Sequence, residues 1–202
     1  MNNFNSNKNP KHKTFISFHH EDDLFKKDFE KQWGEQFKGF VSRSVRDGDI
    51  DKNKSTEHTR QLIRDNFISD ATVTLVLVGK NTWKRKHVDW EIASSIRDTR
   101  KNPRTGLLGL FLPTYSEHVS GMKTSVLKKA ENGLIYNPYN IPPRLYDNIE
   151  CGFAKLYSWP NSPIDLRLWI HDAFKHSKKC LPNNNRAGFA KNISETKNRW
   201  FD

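Results

Sequence analysis

With 202 residues, the chain has the size of one domain and can bury a core without disulfides or metals. Lys and Arg number 34 against 23 Asp and Glu, a net charge of +11 that is spread along the chain apart from the run Lys84-Arg85-Lys86. No run of 18 apolar residues is present, which excludes a membrane-spanning helix, and the two cysteines, Cys151 and Cys180, form neither a metal pattern nor a disulfide framework.

Residues 1–13 are rich in Asn and Lys and hold no apolar stretch, so a flexible tail is expected rather than a signal peptide. With few cysteines and no leader, a reducing, cytoplasmic setting is the expectation. Residues 14–18, Thr-Phe-Ile-Ser-Phe, read as a first buried strand that ends at the polar cluster His19-His20-Glu21-Asp22-Asp23. A helix follows, with Phe25, Phe29 and Trp33 four apart on one face. Residues 37–41 read as a second strand and 42–55 as a polar loop. A second helix carries Leu62, Ile63 and Phe67.

Residues 73–78 are apolar or Thr throughout, and such a strand is expected to be buried on both faces, as in a parallel sheet. A third helix holds Val88, Ile92 and Ile96. Residues 107–112 form a fourth strand that stops at Pro113. The stretch 114–143 is less regular, with a helix expected around 122–130. Residues 153–157 form a fifth strand. The last helix carries Leu166, Trp169, Ile170, Ala173 and Phe174 at helical spacing. The expected division is a tail at 1–13, a domain at 14–178 and an extension at 179–202.

Strands alternating with helices imply an α/β, flavodoxin-like domain: five strands, mainly parallel, in the order 2-1-3-4-5, with helices on both faces. Ligands of such sheets bind beyond the carboxyl ends of the strands, at the switch point between strands one and three. Phe18, His19 and His20 lie on one side of that point, and residues 80–83 on the other.

One carboxylate, Glu91, lies just beyond strand three. On a helical wheel it falls about 60° from Val88, on the flank of the buried stripe, where a half-buried pocket can hold a charge. On periodicity alone the plainer reading is a helix-surface Glu paired with Lys84 or Arg85. No glycine-rich phosphate cradle and no serine nucleophile elbow is present. His19, His20 and Glu21 suggest a metal, but adjacent histidines in a strand point to opposite faces, so no metal is expected. A receiver domain shares this fold yet needs an Asp where this chain has Val78-Gly79-Lys80.

Phe15-Ile16-Ser17-Phe18-His19-His20-Glu21-Asp22 resembles the first box of TIR domains. Arg46-Asp47-Gly48 resembles the loop after their second strand, here without the usual Pro. His87-Val88-Asp89-Trp90-Glu91 resembles the segment of their catalytic glutamate. The resemblance covers about residues 13–178 and is closest to the TIR-like sensors of the Thoeris anti-phage system.

That resemblance implies an enzyme that senses infection and cleaves NAD at the nicotinamide–ribose bond. It converts NAD to a cyclic ADP-ribose isomer, a diffusible signal that activates an NAD-depleting effector. Glu91 would be the catalytic residue. Phe18, His19, Arg43, Arg46, Asp47 and Trp90 would bind the substrate. NAD is then a substrate and no cofactor is expected. The implied partners are a phage-derived trigger, the effector and further copies of the chain. The alternatives are a non-catalytic TIR-like adaptor acting through the loop after strand two, and a basic nucleic-acid-binding domain.

Overall fold

A computed structural model describes residues 10–37, 39–41, 56–100, 102–120 and 126–200. Its main sheet has five parallel strands: β1 (Lys13–Ser17), β2 (Gly39–Val41), β3 (Val73–Val78), β4 (Gly106–Phe111) and β7 (Ala154–Tyr157), in the order β2-β1-β3-β4-β7. This is the expected flavodoxin-like order. Every residue of β3 and β4 is buried, as their unbroken apolar runs require of central strands covered on both faces.

Parallel neighbours need crossovers, and helices supply them. On one face lie α1 (Asp23–Trp33) and α6 (Pro163–Lys179). Their Phe29, Trp33, Leu166 and Ile170 pack on Ile16, Leu75, Leu77, Leu108 and Leu110. Ser162 caps α6 by accepting the Asp165 N–H, and Pro163 begins it. The helix lies so close to the sheet that a Cβ on Gly106 would come within 2.3 Å of the Ala173 carbonyl oxygen.

The other face carries α2 (Thr56–Ile63), α3 (Lys86–Ser95), α4 (Pro113–Ser120) and α5 (Pro143–Glu150). Val88, Ile92, Ile96, Tyr115 and Leu145 meet Val76, Val78 and Leu107 there. Beside them Ile63, Phe67 and Ile68 pack on Phe15.

The helix expected around 122–130 is not formed at its far end. Lys128–Lys129 (β5) pairs antiparallel with Ile135–Tyr136 (β6). A turn with Gly133 at φ 85 closes this hairpin, a conformation that favours glycine. Leu127 and Ala130, which fall within that expected helix, pack against the core from the hairpin instead, together with Leu134. Residues 121–125 lie outside the described set. The second strand is shorter than expected, at Gly39–Val41. Among the described residues, no helix is long and apolar enough to cross a membrane.

The extension after α6 runs back along the outside of α3. Asn184 donates to the Ala93 carbonyl, Phe189 meets Asp89 and Trp90, and Asn192 accepts the Lys86 N–H. Trp200 ends the strap, buried, with its indole N–H shared by the Pro138 and Ile141 carbonyls.

Candidate active site

β1 and β3 run side by side, and their carboxyl ends open onto the turns at 18–22 and 79–85. Ser17 is the last residue of β1. Its hydroxyl donates to Glu91 Oε2 at 2.5 Å, a short bond as expected for a hydroxyl facing a carboxylate. Both residues are fully buried. The expectations for Glu91, a half-buried flank or a helix surface paired with Lys84 or Arg85, are thereby corrected. A wheel assumes one buried side, whereas α3 packs against α2, α5 and β1, with the strap along its outside. Asp89, Glu91, Ser94 and Ser95 are all buried as a result.

His19 follows the strand and starts a 3₁₀ turn, His20–Asp22, accepting the Glu21 N–H on its Nδ1 at 2.8 Å. That bond fixes the neutral ring with its proton on Nε2. Burial, and next the positive charge of Arg85, push its pKa down to about 4, so the ring is neutral at physiological pH. Its Nε2 is buried and has no hydrogen-bond partner among the described residues.

The two histidines do not point to opposite faces. They sit in the turn rather than in the strand, and their rings stack with centroids 4.4 Å apart. Candidate ligand atoms of His19, His20 and Glu21 lie within 4.8 Å of one another. The Arg85 guanidinium, 3.5 Å from Glu21, opposes a cation at that spot.

Asp22, also buried, lies under the exit of β3. A Cβ on Gly79 would fall 2.4 Å from its carboxylate oxygen, so only glycine allows this approach. Burial, then the Glu21 charge, raise the Asp22 pKa to about 6.

The substrate-binding set divides on placement. His19 stands at the mouth between β1 and β3. Phe18 packs on the α1–α6 side of the sheet, whereas Ser17 meets Glu91 on the α3 side, as strand alternation dictates. Trp90 packs against the cluster of Phe15, Ile63 and Phe67, and its indole N–H is taken by the Phe189 carbonyl at 2.9 Å. Arg43, Arg46 and Asp47 lie outside the described residues. Trp83 is a core residue that donates to the Lys80 carbonyl.

Several site features escaped the sequence reading. Ser17 offered a signal, a lone hydroxyl closing an apolar strand. Asp22 offered only its membership of an acidic cluster. Asp89 forms a fully buried ion pair with Arg144 of α5, at 2.8 Å, and accepts the Phe189 N–H of the strap.

No curated protein matches the chain. A family model for the TIR-like domain of the Thoeris protein ThsB matches residues 15–115, half of the chain, from β1 into α4. The matched span contains Ser17, His19, Asp22 and Glu91, and the sheet order is the one expected from the alternation of strands and helices. The chain therefore belongs to the family of the TIR-like domain of the Thoeris protein ThsB, a Thoeris-type anti-phage defence family.

Proposed function

We propose that this protein is an NAD-cleaving enzyme of anti-phage defence, with Glu91 as its essential catalytic residue. One observation carries the reading. Glu91 is fully buried beside the last residue of β1, at the ligand-binding edge of the sheet, and bonded to the Ser17 hydroxyl.

Nicotinamide in NAD is a cationic leaving group. When the bond from ribose C1′ to the ring nitrogen breaks, the electron pair leaves with the nitrogen and the ring becomes neutral. No general acid is needed. Positive charge develops on the ribose, as in glycoside hydrolysis. A buried carboxylate next to it stabilises that charge and orients the ribose hydroxyls. Ser17 holds the carboxylate in one rotamer. In a site closed to water, a group of the substrate itself attacks C1′ and loses a proton. The product is a cyclic ADP-ribose isomer rather than free ADP-ribose.

In this reading the product is the diffusible signal, a phage component is the trigger, and copies of the chain assemble to act. Cells carrying the wild type and Glu91→Gln are challenged with phage, and their small molecules are analysed by mass spectrometry. The wild type is expected to yield an ADP-ribose-derived species that the variant does not. Equal product from both, or protection without product in either, contradicts the proposal and favours the adaptor.

A further inference from the structure

Two cations just before α3 are set into the protein, while the acids paired with them are not. The Lys84 and Arg85 side chains are 8% and 15% exposed. Their shared partner, Glu195, is 59% exposed and belongs to the strap, and Arg85 also lies 3.5 Å from the carboxylate of Glu21, which is 54% exposed. Lys84 Nζ donates to the Glu195 carbonyl at 3.0 Å and to its carboxylate at 3.1 Å, and Arg85 Nη2 forms an ion pair with the other carboxylate oxygen at 2.9 Å. The Lys84 hydrogen bond holds the Glu195 carboxyl below its ordinary range.

These two carboxylates do not use all the donors gathered here. Among the described residues, Arg85 Nε is buried without a hydrogen-bond partner. So is Nε2 of His19, which carries the ring proton because Nδ1 accepts the Glu21 N–H. Glu21 links the two groups, with its carboxylate 3.7 Å from His19 Nδ1 and 3.5 Å from Arg85 Nη2, and Arg85 in turn reaches Glu195. Buried donors left unpaired are costly, and a native protein keeps them where something else supplies the acceptors. A diphosphate brings more oxygens and more charge than a carboxylate, and an Arg–Lys pair suits it.

We propose that Lys84, Arg85 and His19 form the subsite for the diphosphate of a nucleotide, and that Glu195 occupies it as a built-in competitor. The strap is pinned on both sides of Glu195, by Phe189 to Asp89 and Trp90, and by Trp200 to the Pro138 and Ile141 carbonyls. Displacing Glu195 therefore means lifting a short span, not unfolding the extension. The inference rests on the NAD reading for its choice of ligand and adds a resting state to it.

The test is calorimetric titration of ADP into the full chain. ADP carries the diphosphate but not the nicotinamide–ribose bond, so binding is read apart from cleavage. Glu195→Gln keeps the shape of the strap and its backbone bond to Lys84 while removing the competing charge. It is expected to bind ADP about tenfold more tightly than the wild type, and adding Arg85→Gln is expected to abolish that gain, with thermal melts confirming folded variants. Equal affinity of Glu195→Gln and wild type overturns the proposal, as does a gain that survives Arg85→Gln. Failure here with Glu91 still essential for NAD cleavage refutes the subsite alone. Success here with a dispensable Glu91 refutes the catalytic reading alone.

Discussion

Asp89 and Glu91 lie two residues apart on α3, and both are buried, yet they serve different regions of the molecule. Asp89 faces the helical layer. Arg144 grips it through Nε and Nη2, and the same guanidinium reaches the carbonyls of Arg186 and Ala187 and the side chain of Asn184. This region ties α3, α5 and the strap into one piece. Glu91 faces the end of β1, where Ser17 meets it at the carboxyl edge of the sheet, the edge at which sheets of this kind bind ligands. Burial does not separate a structural carboxylate from a chemical one. The element each one faces does.

The largest effect that can break this contrast is structural. Asp89→Ala leaves Arg144 buried without its charge partner and is expected to cost about 3–5 kcal/mol in denaturant unfolding. A loss below about 1 kcal/mol would show that the pair does not hold the strap region together.

Next is Glu91→Gln, which is expected to lower NAD turnover at least about a hundredfold while far-UV circular dichroism stays unchanged. Collapse of the fold instead would make Glu91 a second Asp89.

A smaller effect concerns Asp22. Its carboxyl, raised from 3.8 to about 6, keeps its proton in the folded state where the unfolded chain has lost it. The contribution of Asp22 to stability therefore falls as pH rises from about 4 to 6 and then levels off. Asp22→Asn removes that loss, so a gain of about 2 kcal/mol is expected at pH 8 and none at pH 3.5. The same gain at both pH values would refute the assignment.

The smallest effect is that of Ser17→Ala, which is expected to reduce kcat about tenfold with little change in KM, as befits a residue that positions Glu91. A change confined to KM would move Ser17 from positioning to ground-state binding.

The sheet was legible in the sequence because central parallel strands leave unbroken apolar runs, and β3 and β4 are such runs. α6 was legible through Leu166, Ile170 and Ala173, all buried as the spacing required. The position of Glu91 beyond β3 could be read, but its depth could not. Depth depends on α2, α5 and the strap closing around α3, and a helical wheel contains none of them. The hairpin at 128–136 was hidden because Leu127 and Ala130 carry apolar side chains three apart, a spacing that suits a helix equally. The strap left no pattern at all. Its bonds run from Asn183, Asn184 and Asn192 largely to backbone atoms or to polar side chains, and such bonds impose no periodicity.

The contrast between the two carboxylates is tested most directly by following NAD loss and nicotinamide release in phage-challenged cells carrying the wild type, Glu91→Gln or Asp89→Asn, with each protein's abundance and folding measured in parallel. Nicotinamide release is expected to vanish with Glu91→Gln at normal protein abundance, and to fall with Asp89→Asn only as far as folded protein falls. Release that persists in Glu91→Gln, or that vanishes in a fully folded Asp89→Asn, would contradict the assignment of the chemistry to Glu91.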